Sequence, residues 1–328
     1  MMRLLIFLLG CMMVSCDSKK MDTSQESKDR EWSFWDSMKH PKNNLPSVAK
    51  IELGERLFYD PALSSDYSTS CASCHEPSIA FADSVPFSIG AKGRRAQRNS
   101  PSIVNVGYMP HFMAEGGVKN LELQVIAPIE NELEMDFTVI EACKRLNDLP
   151  AYREAFRLVW QDSATPFTLT RSIAAYERTI VGGTSPYDSF LKGDEKALTS
   201  SAENGMDLFF SDRLGCVGCH SGVLLTNFEI ENNGLDSIYE DKGKYRLTLS
   251  KEDQGKFKVP SLRNVALTAP YMHDGRFETM AEVIHHYESG GAPHPNKSVK
   301  LKQFELNESE RADLISFLES LTDAEISY

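Results

Sequence analysis

The sequence predicts an all-α fold with long connecting loops, and three observations predict it. Apolar residues recur at helical spacing in seven separate stretches. The segments between them are rich in Gly, Pro, Asn and Ser, with few convincing alternating strands. One type of pentapeptide occurs twice, each time after a similar helical stretch. At 328 residues the chain has room for two domains of ordinary size, each with its own core.

Taken in order, the first element is not part of the fold. Met1 to Ser15 carries one early cation, Arg3, then the apolar run Leu4 to Leu9, then small and sulfur-containing residues up to Cys16. This is the pattern of a signal peptide and is too short for a membrane span, which takes about 20 apolar residues. Met13-Val14-Ser15-Cys16 resembles a bacterial lipoprotein signal, so residues 1–16 are expected to be a lipoprotein-type signal with Cys16 lipidated; Leu9-Gly10-Cys11 competes but leaves a very short apolar region. The expected location is the periplasmic side of a bacterial membrane, held by the lipid alone. The polar segment 17–44 reads as a flexible tether.

The helical stretches after the tether are Val48–Phe58, Leu121–Ile129, Val139–Leu146, Thr170–Ile180, Ala202–Phe210, Met280–Tyr287 and Glu308–Leu321. In the last, Leu314, Ile315, Leu318 and Leu321 fall on one face. Ile51 to Phe58 and Ala202 to Phe209 share a glycine followed three positions later by Leu-Phe. That internal repeat predicts two similar domains, 45–183 and 184–328, with the boundary near Ile180 to Tyr187.

The repeated pentapeptides are Cys71-Ala72-Ser73-Cys74-His75 and Cys216-Val217-Gly218-Cys219-His220. In C-x-x-C-H the two thiols reach the two vinyl groups of one haem while the adjoining imidazole reaches the iron. A zinc site would use all four thiolates, leave both histidines unexplained and span an unusually long interval. Two covalently bound haem c groups are therefore expected, attached through Cys71, Cys74, His75 and Cys216, Cys219, His220, so that the two domains read as cytochrome c-like haem domains. Two of the 7 cysteines lie in the signal, and Cys143, in line with Val139 and Leu146, reads as a small buried apolar residue.

The net charge of −12 excludes nucleic acid as the natural partner, because phosphate binding needs clustered Lys and Arg. An acidic surface suits a basic protein such as a small cytochrome.

Several further stretches, together with the two pentapeptides, carry a family resemblance: Arg98-Asn99-Ser100-Pro101, Leu121-Glu122-Leu123-Gln124, Leu133-Glu134-Met135, Pro260-Ser261-Leu262-Arg263-Asn264 and Thr268-Ala269-Pro270-Tyr271-Met272-His273-Asp274-Gly275. From about residue 45 to 322 the sequence resembles the bacterial dihaem cytochrome c peroxidase family, whose relative MauG oxidises tryptophans in a partner protein. The resemblance implies that the N-terminal haem, with proximal His75, is the peroxidatic one, and that Gln124 and Glu134 lie on its open face. An un-ligated carboxylate can accept a proton from one peroxide oxygen and return it to the departing one, which makes Glu134 the expected base and Gln124 an orienting donor.

The second haem is then the electron-entry centre, with His220 on one side. Tyr287 stands where the peroxidases have methionine and MauG has tyrosine; Met272, Met280, His285 and His286 stay open as alternatives. Asn99, Thr268 and Pro270 match positions that hold calcium between the haem domains of the family.

Two departures stand out. The family's Trp-Asp-Gly-Arg, an aromatic bridge between the haems, is here Ala114-Glu115-Gly116-Gly117, with Tyr108 or Phe112 as substitutes. The loop Gly90 to Gln97 has no histidine, although some members use one there to block the peroxidatic haem; His111 is the other distal candidate, with a core or surface role the plainer reading. The implied activity is reduction of hydrogen peroxide to water with electrons from a small donor protein, a cytochrome or cupredoxin, and a homodimer is one assembly open to it. The competing readings are a MauG-like oxidase acting on a partner protein or small molecule, and a dihaem electron-transfer cytochrome with no open iron.

Overall fold

The computed structural model describes residues 34–328. The signal peptide, Cys16 and the tether as far as residue 33 lie outside the described residues. The chain divides into two compact units, one ending at Asp36 and the other comprising Ser37–Tyr328, which holds both pentapeptides.

Helices dominate the second unit: α1 (Val48–Tyr59), α2 (Leu121–Gln124), α3 (Ile126–Glu130), α4 (Val139–Asp148), α5 (Pro150–Trp160), α6 (Pro166–Glu177), α7 (Pro186–Leu191), α8 (Ser200–Phe209), α9 (Tyr245–Thr248), α10 (Met280–Glu288) and α11 (Glu308–Glu319). The described strands are β1 (Ile230–Glu231) and β2 (Phe257–Lys258), paired antiparallel with Ile230 opposite Lys258. This one short ladder is the departure from a purely helical fold.

Local chemistry sets most helix boundaries. Ser47 caps α1 by accepting from the Lys50 N–H. Thr165 and Thr168 close a capping box around α6, with Pro166 in its first turn, so this helix starts four residues before the expected Thr170. The single helix expected over Leu121–Ile129 is two short ones, because Pro128 offers no N–H and its ring crowds the carbonyl of Gln124, four residues back. The unanticipated α5 begins with Pro150 at its first position and buries Tyr152 and Phe156 one turn apart.

Buried apolar residues form two large clusters. The first runs from Leu53 to Ile180 and includes Leu57, Phe58, Phe81, Ile129, Leu146, Phe156, Ile173 and Tyr176. The second runs from Tyr187 to Leu321 and includes Phe209, Leu225, Ile284, Leu314 and Phe317. Cys143 is buried in the first, as expected of a small apolar residue. Asn44, assigned to the tether by the sequence reading, is buried and donates to Glu122 Oε1 at 2.8 Å and to the Arg171 carbonyl at 3.1 Å.

The two clusters have the same internal frame. In the first, α1 packs on α6; in the second, α8 packs on α11. Both crossings are tight at the repeated glycines: a Cβ on Gly54 would strike the Ser172 carbonyl, and one on Gly205 the Asp313 carbonyl. The repeat Gly-x-x-Leu-Phe thus marks the point where two helix backbones meet and the apolar residues that follow it into the core. Further on, Asn105 and Asn264 both take left-handed backbone, and their N–H groups donate to the Ile180 and Leu321 carbonyls. The bridges Phe112–Val118 and Tyr271–Phe277 repeat the same turn.

Candidate haem sites

Each C-x-x-C-H forms a single 3-10 turn, Cys71–Ser73 and Cys216–Gly218. The turn folds the histidine N–H back onto the first cysteine: His75 donates to the Cys71 carbonyl at 3.0 Å and His220 to the Cys216 carbonyl at 2.8 Å. The ring is oriented the same way in both halves, with His75 Nδ1 3.1 Å from the Phe81 carbonyl and His220 Nδ1 3.1 Å from the Leu225 carbonyl. A carbonyl can only accept, so Nδ1 carries the proton and Nε2 keeps its lone pair for a ligand. Burial pushes the basicity of His75 down and that of His220 to about 4, which keeps both rings neutral as metal ligation requires. Burial also raises the thiols, Cys74 to about 11 and Cys216 to about 12, and all four are free of disulfides. Unpaired thiols beside a neutral, oriented imidazole fit a haem at each motif.

Among the described residues there is no group of three or more His, Cys, Asp or Glu that could hold a metal ion, so the four cysteines do not assemble into a zinc site.

Glu134 sits in the turn between α3 and α4. Its charge acts on both Cys71 and Cys74 of the first motif. Burial raises its carboxyl above the ordinary range, partly offset by Asn131, whose Nδ2 donates to Oε1 at 2.6 Å. The 90–97 loop fixes this turn. Ala91 N–H donates to the Glu134 carbonyl at 2.6 Å, Arg94 Nη1 donates to the Glu132 carbonyl at 2.7 Å, and Lys92 pairs with Asp136. Gly90 permits the close approach, since a Cβ there would strike the Leu133 and Glu134 carbonyls. Gln124, half-buried, ends α2 at the break forced by Pro128.

Tyr287, on α10, belongs to the second motif. Burial raises its phenol to about 12, and the thiols of Cys219 and Cys216 add to that rise, while an Asn233 hydrogen bond opposes it. The alternatives are arranged differently. The His285 side chain is 82% exposed, His286 Nε2 is held 3.0 Å from the Asn233 carbonyl, and Met272 Sδ accepts from Asn233 Nδ2 at 3.3 Å. Asn233 therefore touches three of the candidate groups around the second motif, and nothing in its sequence surroundings announced it.

The calcium candidates meet at one seam. Asn99 N–H donates to the His273 carbonyl at 2.9 Å, bringing Asn99 against the turn that holds Thr268 and the cis Ala269–Pro270 bond. Asn99 Nδ2 donates to the Val85 carbonyl at 3.1 Å. Beside it, Arg98 binds Asp241 with two bonds of 2.6 and 2.9 Å and Glu115 at 2.7 Å, tying the Arg98–Glu115 segment to the loop before β2. Ala114, at the family's aromatic bridge, offers its carbonyl to the Lys258 N–H at 2.7 Å. Phe112 is buried in the first core and His111 is half-buried.

Two like frames, each presenting paired thiols and an oriented imidazole, define a class of two-haem oxidoreductase. The family model for di-haem cytochrome c peroxidase matches residues 48–196. The methylamine utilization protein MauG of Methylorubrum extorquens is 34% identical over 289 residues, 87% of this chain and 82% of that protein. The cytochrome-c peroxidase IdrP1 of a Pseudomonas species is 36% identical over 320 residues, 87% of this chain and 84% of its own. Among solved structures, a MauG-like protein associated with microbial copper homeostasis superposes with a TM-score of 0.81 at 34% identity, covering 87% of this chain and 93% of the other. The chain belongs to the dihaem cytochrome c peroxidase family. It is an enzyme of the peroxidase type, an oxidoreductase, in a family that carries two haem groups.

Proposed function

We propose that this chain reduces hydrogen peroxide to water at the N-terminal haem, with electrons that enter from a small donor protein through the C-terminal haem. The observation that carries the assignment is the different company of two like motifs: a half-buried carboxyl, raised by desolvation, whose charge acts on Cys71 and Cys74, and a half-buried phenol, raised by desolvation, on which Cys216 and Cys219 act.

Cys71, Cys74, Cys216 and Cys219 would hold the two haems, which when bound would supply electron storage and the redox chemistry of peroxide reduction. Glu134 takes a proton from one peroxide oxygen and gives it to the departing one, and its raised proton affinity suits a group that must do both near neutral pH. Asn131 holds the carboxyl in place, and Gln124 orients peroxide by hydrogen bonding. His75 and His220 are proximal ligands, each set by its carbonyl partner. Tyr287 is the second ligand of the electron-entry haem, with Asn233 as its hydrogen-bond donor. Asn99, Thr268 and Pro270 would hold calcium between the 45–183 and 184–328 haem domains, and export with lipidation at Cys16 would put the enzyme on the periplasmic side of a membrane. A MauG-like oxidation of a partner protein or small molecule is the second reading, favoured by Tyr287, the residue that the sequence resemblance assigns to MauG at this position.

The test is absorption and low-temperature EPR spectroscopy of the oxidised holoprotein before and after stoichiometric peroxide. One high-spin haem that reacts at once, with the reaction lost in Glu134→Gln, is the expected result. Two low-spin haems inert to peroxide even after one-electron reduction would leave an electron carrier.

A further inference from the structure

Glu177, the last residue of α6, is 7% exposed, and its Oε2 is buried without a hydrogen-bond partner. An unpaired carboxyl in a core is costly, so its presence calls for a reason. The pseudo-repeat shows that packing is not the reason. Ser172 and Asp313 occupy the same place, each carbonyl facing the repeated glycine of the partner helix. Ile180 and Leu321 also correspond, each accepting from the left-handed asparagine of its half. Both registers set Glu177 opposite Leu318, which is 9% exposed and packs in the second core. The same frame accepts leucine in one half and holds glutamate in the other.

The electrostatics tie the carboxyl to the N-terminal motif. Its charge acts on Cys71, the first thiol of the N-terminal motif. The charged groups acting on it are Arg178, beside it in the chain, and Glu122 of α2. Those two form a buried pair, Arg178 Nη1 to Glu122 Oε1 at 2.8 Å, and Asn44 Nδ2 donates to the same Oε1. Both members of the pair act electrostatically on exposed His40.

We propose that Glu177 is a proton-storing partner of the N-terminal haem: when that iron gains one electron, the Glu177 carboxylate gains one proton from solvent. The iron passes from ferric to ferrous at the expense of a one-electron reductant, and the only bond formed is the O–H bond at Glu177. The physical reason is charge compensation, because an added negative charge beside a buried carboxylate is opposed by low dielectric unless a proton follows it. Burial raises the carboxyl to about 8, so its affinity for a proton lies within the range that the charge of the nearby centre can move across neutral pH. The proposal rests on the reading that a haem is attached at Cys71–His75, and it adds a proton-linked potential to that haem alone.

The experiment is a potentiometric titration of both haems, followed by absorption and EPR, over about pH 6 to 9 in the wild-type holoprotein and in Glu177→Gln and Glu177→Leu. Leucine reproduces what the other half already accommodates, and thermal melts with haem content by mass check that both variants fold. The expected result is an N-terminal haem whose potential falls as pH rises in the wild type and is level in both variants, while the pH dependence of the C-terminal haem is the same in all three. An N-terminal potential that is level in the wild type, or that keeps its slope in Glu177→Gln, would overturn the proposal and leave the haem reading intact. A wild-type protein with no haem at the first motif would overturn both.

Discussion

The N-terminal and C-terminal halves share a frame and differ in what they place on it. Both cross two helices at a glycine, both turn C-x-x-C-H in one 3-10 turn, and both tie the histidine to a carbonyl a few residues on. The first then brings Glu134 and Glu177 towards its thiols, whereas the second brings Tyr287 and has Leu318 in place of Glu177. Because the frame is held constant, the differences are where the proposed chemistry divides: two carboxyls act on the first motif, and one phenol is associated with the second.

The largest expected effect breaks the contrast directly. Glu134→Gln should slow the reaction with peroxide about 100- to 10,000-fold in rapid-mixing absorption measurements while both resting haem spectra persist. Tyr287→Phe should leave that step in place and raise the potential of the second haem, since a phenolate favours oxidised iron. If Glu134→Gln reacts like the wild type, the two halves do not divide the work as described.

Each half also has one buried ion pair: Arg178–Glu122, with both side chains 6% exposed, and Arg263–Asp188, exposed by 1% and 3%. Glu122→Gln or Asp188→Asn strands a buried guanidinium and should cost about 3 to 5 kcal/mol in urea denaturation. Comparable losses would show that the halves are anchored alike; a near-neutral Glu122→Gln would show that the first pair is not the anchor of its half. Gly54→Ala and Gly205→Ala should each cost about 1 to 3 kcal/mol by forcing a helix pair apart, and an alanine tolerated at one site would show that the two crossings are not equivalent.

The smallest effect is one of pH. The Glu177 carboxyl has an ordinary value of 4.5 and a folded value of about 8, so between these the folded state holds a proton that the unfolded state has released. Its contribution is complete below about 4.5 and is lost as pH rises towards 8, so stability falls with pH in this window. Glu177→Gln should flatten that decline in urea titrations run at several pH values. A decline equally steep in the variant would mean that another group is responsible.

The frame was largely legible because it depends on local patterns. Helical spacing located α1, α4, α8, α10 and α11 to within about two residues at each end, and the glycine shared by Ile51–Phe58 and Ala202–Phe209 announced the helix crossing. The helix at Pro150–Trp160 was not read, although Pro150 followed by Tyr152 and Phe156 at helical spacing was the available signal. The haem motifs needed only their five residues, whereas Glu134 was singled out by resemblance, because an acid in a run from Glu130 to Asp136 looks solvated until the fold buries it. Glu177 and Asn233 were invisible: neither lies in a motif, and their significance comes from contacts with segments far away in the chain.

The loop carrying Gly90, Lys92 and Arg94 is fastened to the turn of Glu134 and contains no imidazole to place over the neighbouring iron. On the proposed reading, this loop supplies no blocking ligand to the first haem. If peroxide reduction proceeds as proposed, a sudden burst of oxidant should be met without a preparatory electron, and the corresponding burden is that this loop does not hold the site back when reductant is scarce.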